Sequence, residues 1–121
     1  MKLNLKQTDL EKINEVTVLL QKDYRYHHNR YELARKVQLN ESKLRQVFKQ
    51  VNQATLNEYQ TRLRIEKAKE LLSSTDDPVK TIAYKVGFDI RNLNRQFKKR
   101  LGISPYVWKK QFYGALENMD S

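Results

Sequence analysis

The fold is decided by one stretch of sequence that occurs twice. Residues 33–39, LARKVQL, return about 49 residues later as residues 82–88, IAYKVGF. The same offset pairs Phe48 with Phe97. Because a fixed offset preserves the apolar positions, the repeat indicates one small structural unit that is built twice.

Each copy of the repeat predicts a helix-turn-helix. The paired helices are expected at about residues 31–37 and 41–51 in the first copy, and at about 79–86 and 90–101 in the second. Gly87 falls in the turn of the second copy, where a positive φ is accessible without a Cβ. Gln38 occupies the matching position of the first copy.

The remaining sequence is also typical of helices, so an all-α fold of about seven helices is predicted. Three Gly and two Pro interrupt 121 residues, and apolar residues recur at spacings of three and four. Polar side chains that can cap a helix stand before most of these segments. The predicted caps are Thr8, Asn29, Asn40, Thr55, Asp77 before Pro78, Asp89 and Ser104 before Pro105.

A long helix, Thr55 to about Ser73, is predicted to join the two copies, spanning roughly 28 Å, close to one turn of a DNA duplex. Its apolar residues change sides midway, so each half is expected to complete the core of one lobe. The predicted division is an N-terminal lobe at 1–54, a linker helix at 55–73, a C-terminal lobe at 74–115 and a flexible tail at 116–121.

The second helix of each copy has an apolar stripe and an outward row. In the first copy Leu44, Val47, Phe48 and Val51 are expected in the core. The outward rows are Ser42, Arg45, Gln46 and Lys49 in the first copy, and Arg91, Asn94, Arg95 and Lys98 in the second. These side chains can bond base edges or phosphates, and no acidic residue lies among them.

Composition narrows the classes of function. Twenty-four Lys and Arg against fourteen Asp and Glu give a net charge of +10, which favours a polyanionic partner. The absence of Cys excludes thiolate chemistry, and no catalytic or cofactor motif stands out. The pair His27-His28 lacks the further ligands of a zinc site and is predicted to lie in a polar loop. No apolar run approaches a membrane span. We therefore expect a cytoplasmic protein that is not an enzyme and that has no cofactor, metal or membrane partner.

The aromatic residues near the end of the chain are interpreted as core. Tyr106, Trp108, Phe112 and Tyr113 lie on the last predicted helix. Packing of the second lobe is their simplest role, compared with stacking on single-stranded bases.

Residues 31 to 112 resemble the AraC/XylS family of bacterial transcription regulators. Besides IAYKVGF, the resemblance rests on RIEKAKELL at residues 64–72 and RQFKKRLGISP at residues 95–105. It implies two helix-turn-helix units joined by a long helix, with the second helix of each unit in successive major grooves. Gln53 departs from the pattern, since the family often has Gly there.

The resemblance also implies roles for individual residues and partners. Base contacts are expected from Ser42, Arg45, Gln46, Arg91, Asn92, Asn94 and Arg95, and phosphate contacts from Asn40, Lys43, Lys49, Lys98 and Lys99. The expected partners are double-stranded promoter or operator DNA and RNA polymerase, with a nucleoid-associated location. A sensory domain is expected if the chain is a fragment of a longer regulator.

Two alternatives remain open from the sequence. A nucleic-acid binder without sequence preference would use the same basic faces for phosphates alone. A protein-interaction module would accept a partner between its helices, and would bind DNA weakly and without dependence on salt. The operator sequence, activation or repression, the effector and the oligomeric state are not encoded in any pattern identified above.

Overall fold

The computed structural model describes residues 5–119, with side chains described as far as residue 112. This part of the chain is all-α and contains no strand, as predicted. Its seven helices are α1 (Gln7–Lys22), α2 (Arg30–Lys36), α3 (Glu41–Asn52), α4 (Leu56–Ser74), α5 (Val79–Lys85), α6 (Ile90–Leu101) and α7 (Pro105–Met119). None of these helices is long and apolar enough to cross a membrane.

The chain divides into two compact units, Met1–Arg62 (the first unit) and Leu63–Ser121 (the second unit). The division falls within α4, the long helix that the sequence predicts between the two copies. The backbone of the expected tail at residues 116–121 belongs to α7 through Met119, and the last two positions lie outside the described residues.

The core of the first unit forms where α3 packs on α1 and on the start of α4. Phe48 is fully buried, and its ring meets that of Tyr59 edge to face at 5.5 Å. Ile13 and Leu20 bury the inner face of α1. Val51 was expected in the core, but it is 41% exposed because it lies at the end of α3, beside the open groove between α1 and α3.

The second unit repeats this arrangement with its own aromatic pair. Phe97 of α6 is fully buried and meets Trp108 of α7 edge to face at 5.9 Å. Arg64 of α4 lies over the ring of Phe88 at 5.5 Å, and burial lowers the pKa of its guanidinium. This contact explains a charged residue inside the core, since a guanidinium can stack on an aromatic face.

The aromatic residues of α7 are only partly core. Trp108 packs as predicted, but the expectation is wrong for Tyr106, which is 63% exposed, and for Phe112, which is also exposed. Both lie on helical faces that the described residues of the second unit leave open to solvent. The side chain of Tyr113 lies outside the described residues.

Most of the predicted helix caps form. The side chains of Asn29, Asn40, Thr55, Asp89 and Ser104 each accept a hydrogen bond from a backbone N–H two or three residues ahead. Two predicted caps are wrong. Helix α1 already begins at Gln7, so Thr8 lies inside it; Pro78 takes the capping position of α5, and the Asp77 carboxylate pairs with Lys85 at 2.6 Å instead.

The turns of the two copies have the same backbone conformation in spite of different residues. Gly87 has a φ of 87° and Gln38, at the matching position, a φ of 58°. The residues that end the second helices match in the same way, with a φ of 80° at Gly102 and 55° at Gln53. The geometry of the helix-turn-helix therefore requires the left-handed region at both positions, and the first unit adopts it without Gly.

Candidate nucleic-acid interface

The outward row of α3 is open to solvent along its whole length. Ser42, Arg45, Gln46 and Lys49 are all exposed. Behind them Leu44, Val47 and Phe48 are buried, which fixes the rotation of the helix about its axis. The first unit therefore presents a guanidinium, an amide, a hydroxyl and an ammonium on one face.

The outward row of α6 has the same form. Arg91, Asn94, Arg95 and Lys98 are exposed, while Leu93 and Phe97 are fully buried on the opposite face. Lys98, Lys99 and Arg100 fall in the last turn of the helix, where positive charge interacts favourably with the helix dipole. α6 is thus basic along its exposed side.

At its start α3 is joined to α1 by a partly buried ion pair. The Asn40 side chain accepts a hydrogen bond from the backbone N–H of Lys43 at 2.7 Å and so caps the helix. The Lys43 ammonium lies 3.4 Å from the carboxylate of Asp9, which is only 5% exposed. Because a buried carboxylate is costly without a partner, this pair fixes the start of α3 to α1.

At its start α6 carries a chain of hydrogen bonds that ends on Arg95. One carboxylate oxygen of Asp89 caps the helix by accepting from the backbone N–H of Asn92 at 2.7 Å. The other oxygen accepts from the Asn92 side-chain amide at 3.3 Å. The Asn92 carbonyl oxygen in turn accepts from the Arg95 guanidinium at 2.8 Å. The orientation of Arg95 is therefore set by its own helix.

Nothing comparable fixes the row of α3 among the described residues. Gln46 donates to the Ser42 hydroxyl at 3.5 Å, at the limit of a hydrogen bond. Arg45 makes no side-chain hydrogen bond or ion pair with any described residue. The side chains that face outward from the first unit are consequently less restrained than Arg95.

The five side chains predicted to bind phosphates lie in different surroundings. Lys49, Lys98 and Lys99 are exposed on the second helix of their copy. Asn40 is exposed but uses its carbonyl oxygen as a cap, which leaves its amide hydrogens, and Lys43 shares its charge with Asp9. The roles of Asp9 and Asp89 in fixing these residues were not predicted; the sequence signal for Asp89 was its capping position alone.

The structure thus defines a protein with two helix-turn-helix units, each of which exposes a polar and basic helix. A helix-turn-helix domain model matches residues 33–111. The transcriptional activator RhaR of Cronobacter sakazakii is 36% identical over 80 residues, which is 65% of this chain and 28% of RhaR. The raffinose operon regulatory protein RafR of Pediococcus pentosaceus is 31% identical over 108 residues, 88% of this chain and 39% of RafR.

Solved structures show the same fold. The DNA-binding domain of AdpA, a global transcriptional factor solved in complex with a target DNA, superposes with a TM-score of 0.81 at 19% identity. The superposition covers 86% of this chain and 95% of that domain. The chain corresponds to less than half of the length of the two curated relatives.

The chain therefore belongs to the AraC-type helix-turn-helix family of DNA-binding transcription regulators. This is the family that the sequence resembles, and it is a family of DNA-binding proteins rather than of enzymes. Membership supports sequence-specific binding and does not favour a protein-interaction module or a binder without sequence preference.

Proposed function

We propose that α3 and α6 of this chain enter successive major grooves on one face of a DNA duplex and read its sequence there. The observation that carries the proposal is the pair of exposed rows: eight polar or basic side chains at equivalent positions of two helices, none of them acidic. A helix of a helix-turn-helix fits the major groove and reaches base edges with such a row.

The rows suggest a division of labour between bases and phosphates. Arg45, Arg91 and Arg95 suit guanine, whose O6 and N7 accept from one guanidinium, while Gln46 and Asn94 suit adenine. Ser42 completes the base contacts. Lys49, Lys98, Lys99 and the Asn40 amide suit phosphates, and Lys43 can offer a phosphate the ammonium N–H groups that do not face Asp9.

Asn92 has a different proposed role from the other amides. Both ends of its side chain are bonded within α6, to Asp89 and to Arg95. An amide engaged on both sides serves better to hold a neighbour than to reach a base. We assign Asn92 to the positioning of Arg95, which prepays the ordering of that side chain.

The proposed partner is promoter or operator DNA, and through it transcription. RhaR is named as a transcriptional activator, and RNA polymerase is the enzyme that carries out transcription. We extend this to the present chain as a proposal, with RNA polymerase as its protein partner and chromosomal DNA in the cytoplasm as its place of action. A role in binding rather than catalysis belongs to the same proposal.

Selection of bound duplexes from a random library tests the proposal. The selected duplex should bind at least about a thousandfold more tightly than a scrambled one at physiological salt. Replacing Arg45 or Arg95 with Ala should cost about 1–3 kcal/mol on the selected duplex and relax preference at one cluster of base pairs.

The matched controls are Lys49→Ala and Lys98→Ala. These should weaken binding to selected and scrambled duplexes alike and flatten the dependence on salt by about one unit of slope. Equal affinity of the wild-type chain for selected and scrambled duplexes would contradict base readout.

A further inference from the structure

A groove opens in the first unit next to the exposed row of α3. Its volume is about 420 Å3, and it is lined by residues 27–30 at the entry to α2, by Arg45 of α3 and by residues of the first two turns of α4 with their cap. Arg45, a member of the exposed row, forms part of its wall. The groove therefore adjoins the surface that is proposed to face DNA.

The charges around this groove favour an anion. Arg30 and Arg45 line it, and no carboxylate of a described residue does. The nearest opposing charge that pairs with this wall is Glu41, whose carboxylate lies 3.1 Å from Arg30. The pKa of Arg30 is raised, chiefly by the hydrogen bond to the Tyr31 hydroxyl and further by Glu41, so Arg30 keeps its charge.

A buried amide supplies donors to the groove. Gln60 lines it and is only 4% exposed. Its carbonyl oxygen accepts from the backbone N–H of His28 at 3.1 Å, which fixes the direction of the amide. The Nε2 group makes no hydrogen bond to any described residue. Because Gln60 lines the groove, the hydrogens of this amide can donate to an oxygen that binds there.

The first turn of α4 adds further donors. Thr55 caps this helix by accepting from the backbone N–H of Glu58 at 3.1 Å. The N–H groups of Leu56 and Asn57 have no carbonyl partner within the helix, as in every first turn. Both residues line the groove, where these N–H groups and the positive end of the helix dipole suit a phosphate.

From this arrangement we propose that the groove binds one backbone phosphate of the duplex that α3 enters. Gln60, the side chain of Asn57 and the first N–H groups of α4 bond its oxygens. Arg45, which reaches towards a base, and Arg30, which is paired with Glu41, lie in the wall and keep it free of net negative charge. The inference rests on the proposed function and adds to it a contact outside the recognition helices. That contact would fix the depth and rotation of α3 in the major groove of the DNA.

The variant Asn57→Asp tests the site. A carboxylate in the first turn of α4 is favourable for the helix, so thermal stability should be kept, while a phosphate in the groove would be repelled. The matched control is Asn14→Asp, which makes the same change of charge on an exposed position of α1. We expect Asn57→Asp to weaken binding to a selected duplex roughly tenfold more than the control does. The slope of the logarithm of the binding constant against the logarithm of the salt concentration should also be smaller by about one.

Single neutral methylphosphonate linkages along the selected duplex locate the phosphate. At one position along the duplex, the neutral linkage should weaken binding of the wild-type chain and of the Asn14→Asp control severalfold. The same linkage should have little further effect on binding of Asn57→Asp. If the two variants bind alike, or no linkage shows this coupling, while the wild-type chain still prefers the selected duplex, the phosphate site is wrong and the proposed function stands.

Two further outcomes separate the remaining possibilities. Loss of preference for the selected duplex overturns base readout, and the linkage experiment then still decides the phosphate site. Inorganic phosphate, titrated into the chain without DNA at constant ionic strength, should shift the amide resonances of Asn57 and the side-chain resonance of Gln60 weakly at most. Saturation of these shifts below about millimolar phosphate would assign the groove to a free anion instead of DNA.

Discussion

The two helix-turn-helix copies share their backbone and differ in what holds the reading side chains. At one pair of matched positions, Lys43 connects α3 to Asp9 of α1, whereas Asn92 connects Asp89 to Arg95 within α6. The same place in the fold therefore serves the attachment of a helix in the first unit and the orientation of a guanidinium in the second. Repetition of a fold does not imply repetition of the roles of its residues.

A second difference lies in the turns. The first unit places Gln38 and Gln53 in the left-handed region, where the second unit has Gly87 and Gly102. A side chain in this region costs of order 1 kcal/mol, so the backbone of the first unit carries strain that the second avoids. The comparison predicts that the units respond differently to equivalent substitutions.

The largest expected difference is between Lys43→Ala and Asn92→Ala. Removal of Lys43 leaves the buried Asp9 carboxylate without its cation and should lower the free energy of unfolding by about 1–3 kcal/mol. Removal of Asn92 should change stability by about 0.5 kcal/mol or less and relax base preference opposite Arg95. Thermal denaturation and binding to selected and scrambled duplexes measure the two effects.

The control for Lys43→Ala is the double variant that combines it with Asp9→Asn. It removes both charges, so it should recover a large part of the stability that Lys43→Ala loses. Equal losses of stability in Lys43→Ala and Asn92→Ala would show that the two positions do not differ in role.

A smaller effect is expected for Asp89→Asn. The side-chain oxygen that this substitution keeps can still cap α6, but the amide nitrogen that replaces the other oxygen cannot accept from Asn92, so Arg95 loses its anchor. Preference for guanine over adenine opposite Arg95 should fall by a factor of about 3 to 10, part of what the bidentate contact provides. The matched variant in the first unit, Asn40→Asp, also keeps a cap. It should weaken binding to all duplexes alike and leave selectivity unchanged.

The smallest effects are expected at the turns. Gln53→Gly should stabilise the chain by about 0.5 kcal/mol, because relief of the left-handed strain is partly offset by the greater freedom of Gly in the unfolded chain. Gly102→Ala should destabilise it by about 1 kcal/mol, and the cost is conformational, since nothing lies within 4 Å of the added Cβ. Changes of the same sign in both variants, measured by chemical denaturation, would contradict the assigned strain.

The fold could be predicted from the sequence to a large extent, because the apolar spacing and the caps determine helices locally. Asn29, Asn40 and Asp89 cap where the pattern placed them. Exposure at the ends of helices could not be predicted in this way: Val51 and Tyr106 fit an apolar pattern, yet whether a neighbour covers them depends on tertiary packing.

The candidate site was predictable as two rows of residues, since the helical period fixes which side chains point outward. The ion pairs and hydrogen bonds within the site could not be predicted. The pairing of Lys43 with Asp9 joins residues on different helices, and the contact of Arg95 with Asn92 depends on side-chain rotamers. The groove at Gln60 was also missed, because it forms only when the segment before α2 packs on the start of α4.

The most direct test of the account replaces each guanine of the selected duplex, one at a time, with 7-deazaguanine, which removes the N7 acceptor. Two clusters of sensitive positions are expected about 10 base pairs apart. Arg45→Ala should remove sensitivity in one cluster, and Arg95→Ala should remove part of the sensitivity in the other, where Arg91 keeps its own guanine. A single cluster, or two clusters that both persist in each variant, would contradict the claim that α3 and α6 each read bases in a major groove.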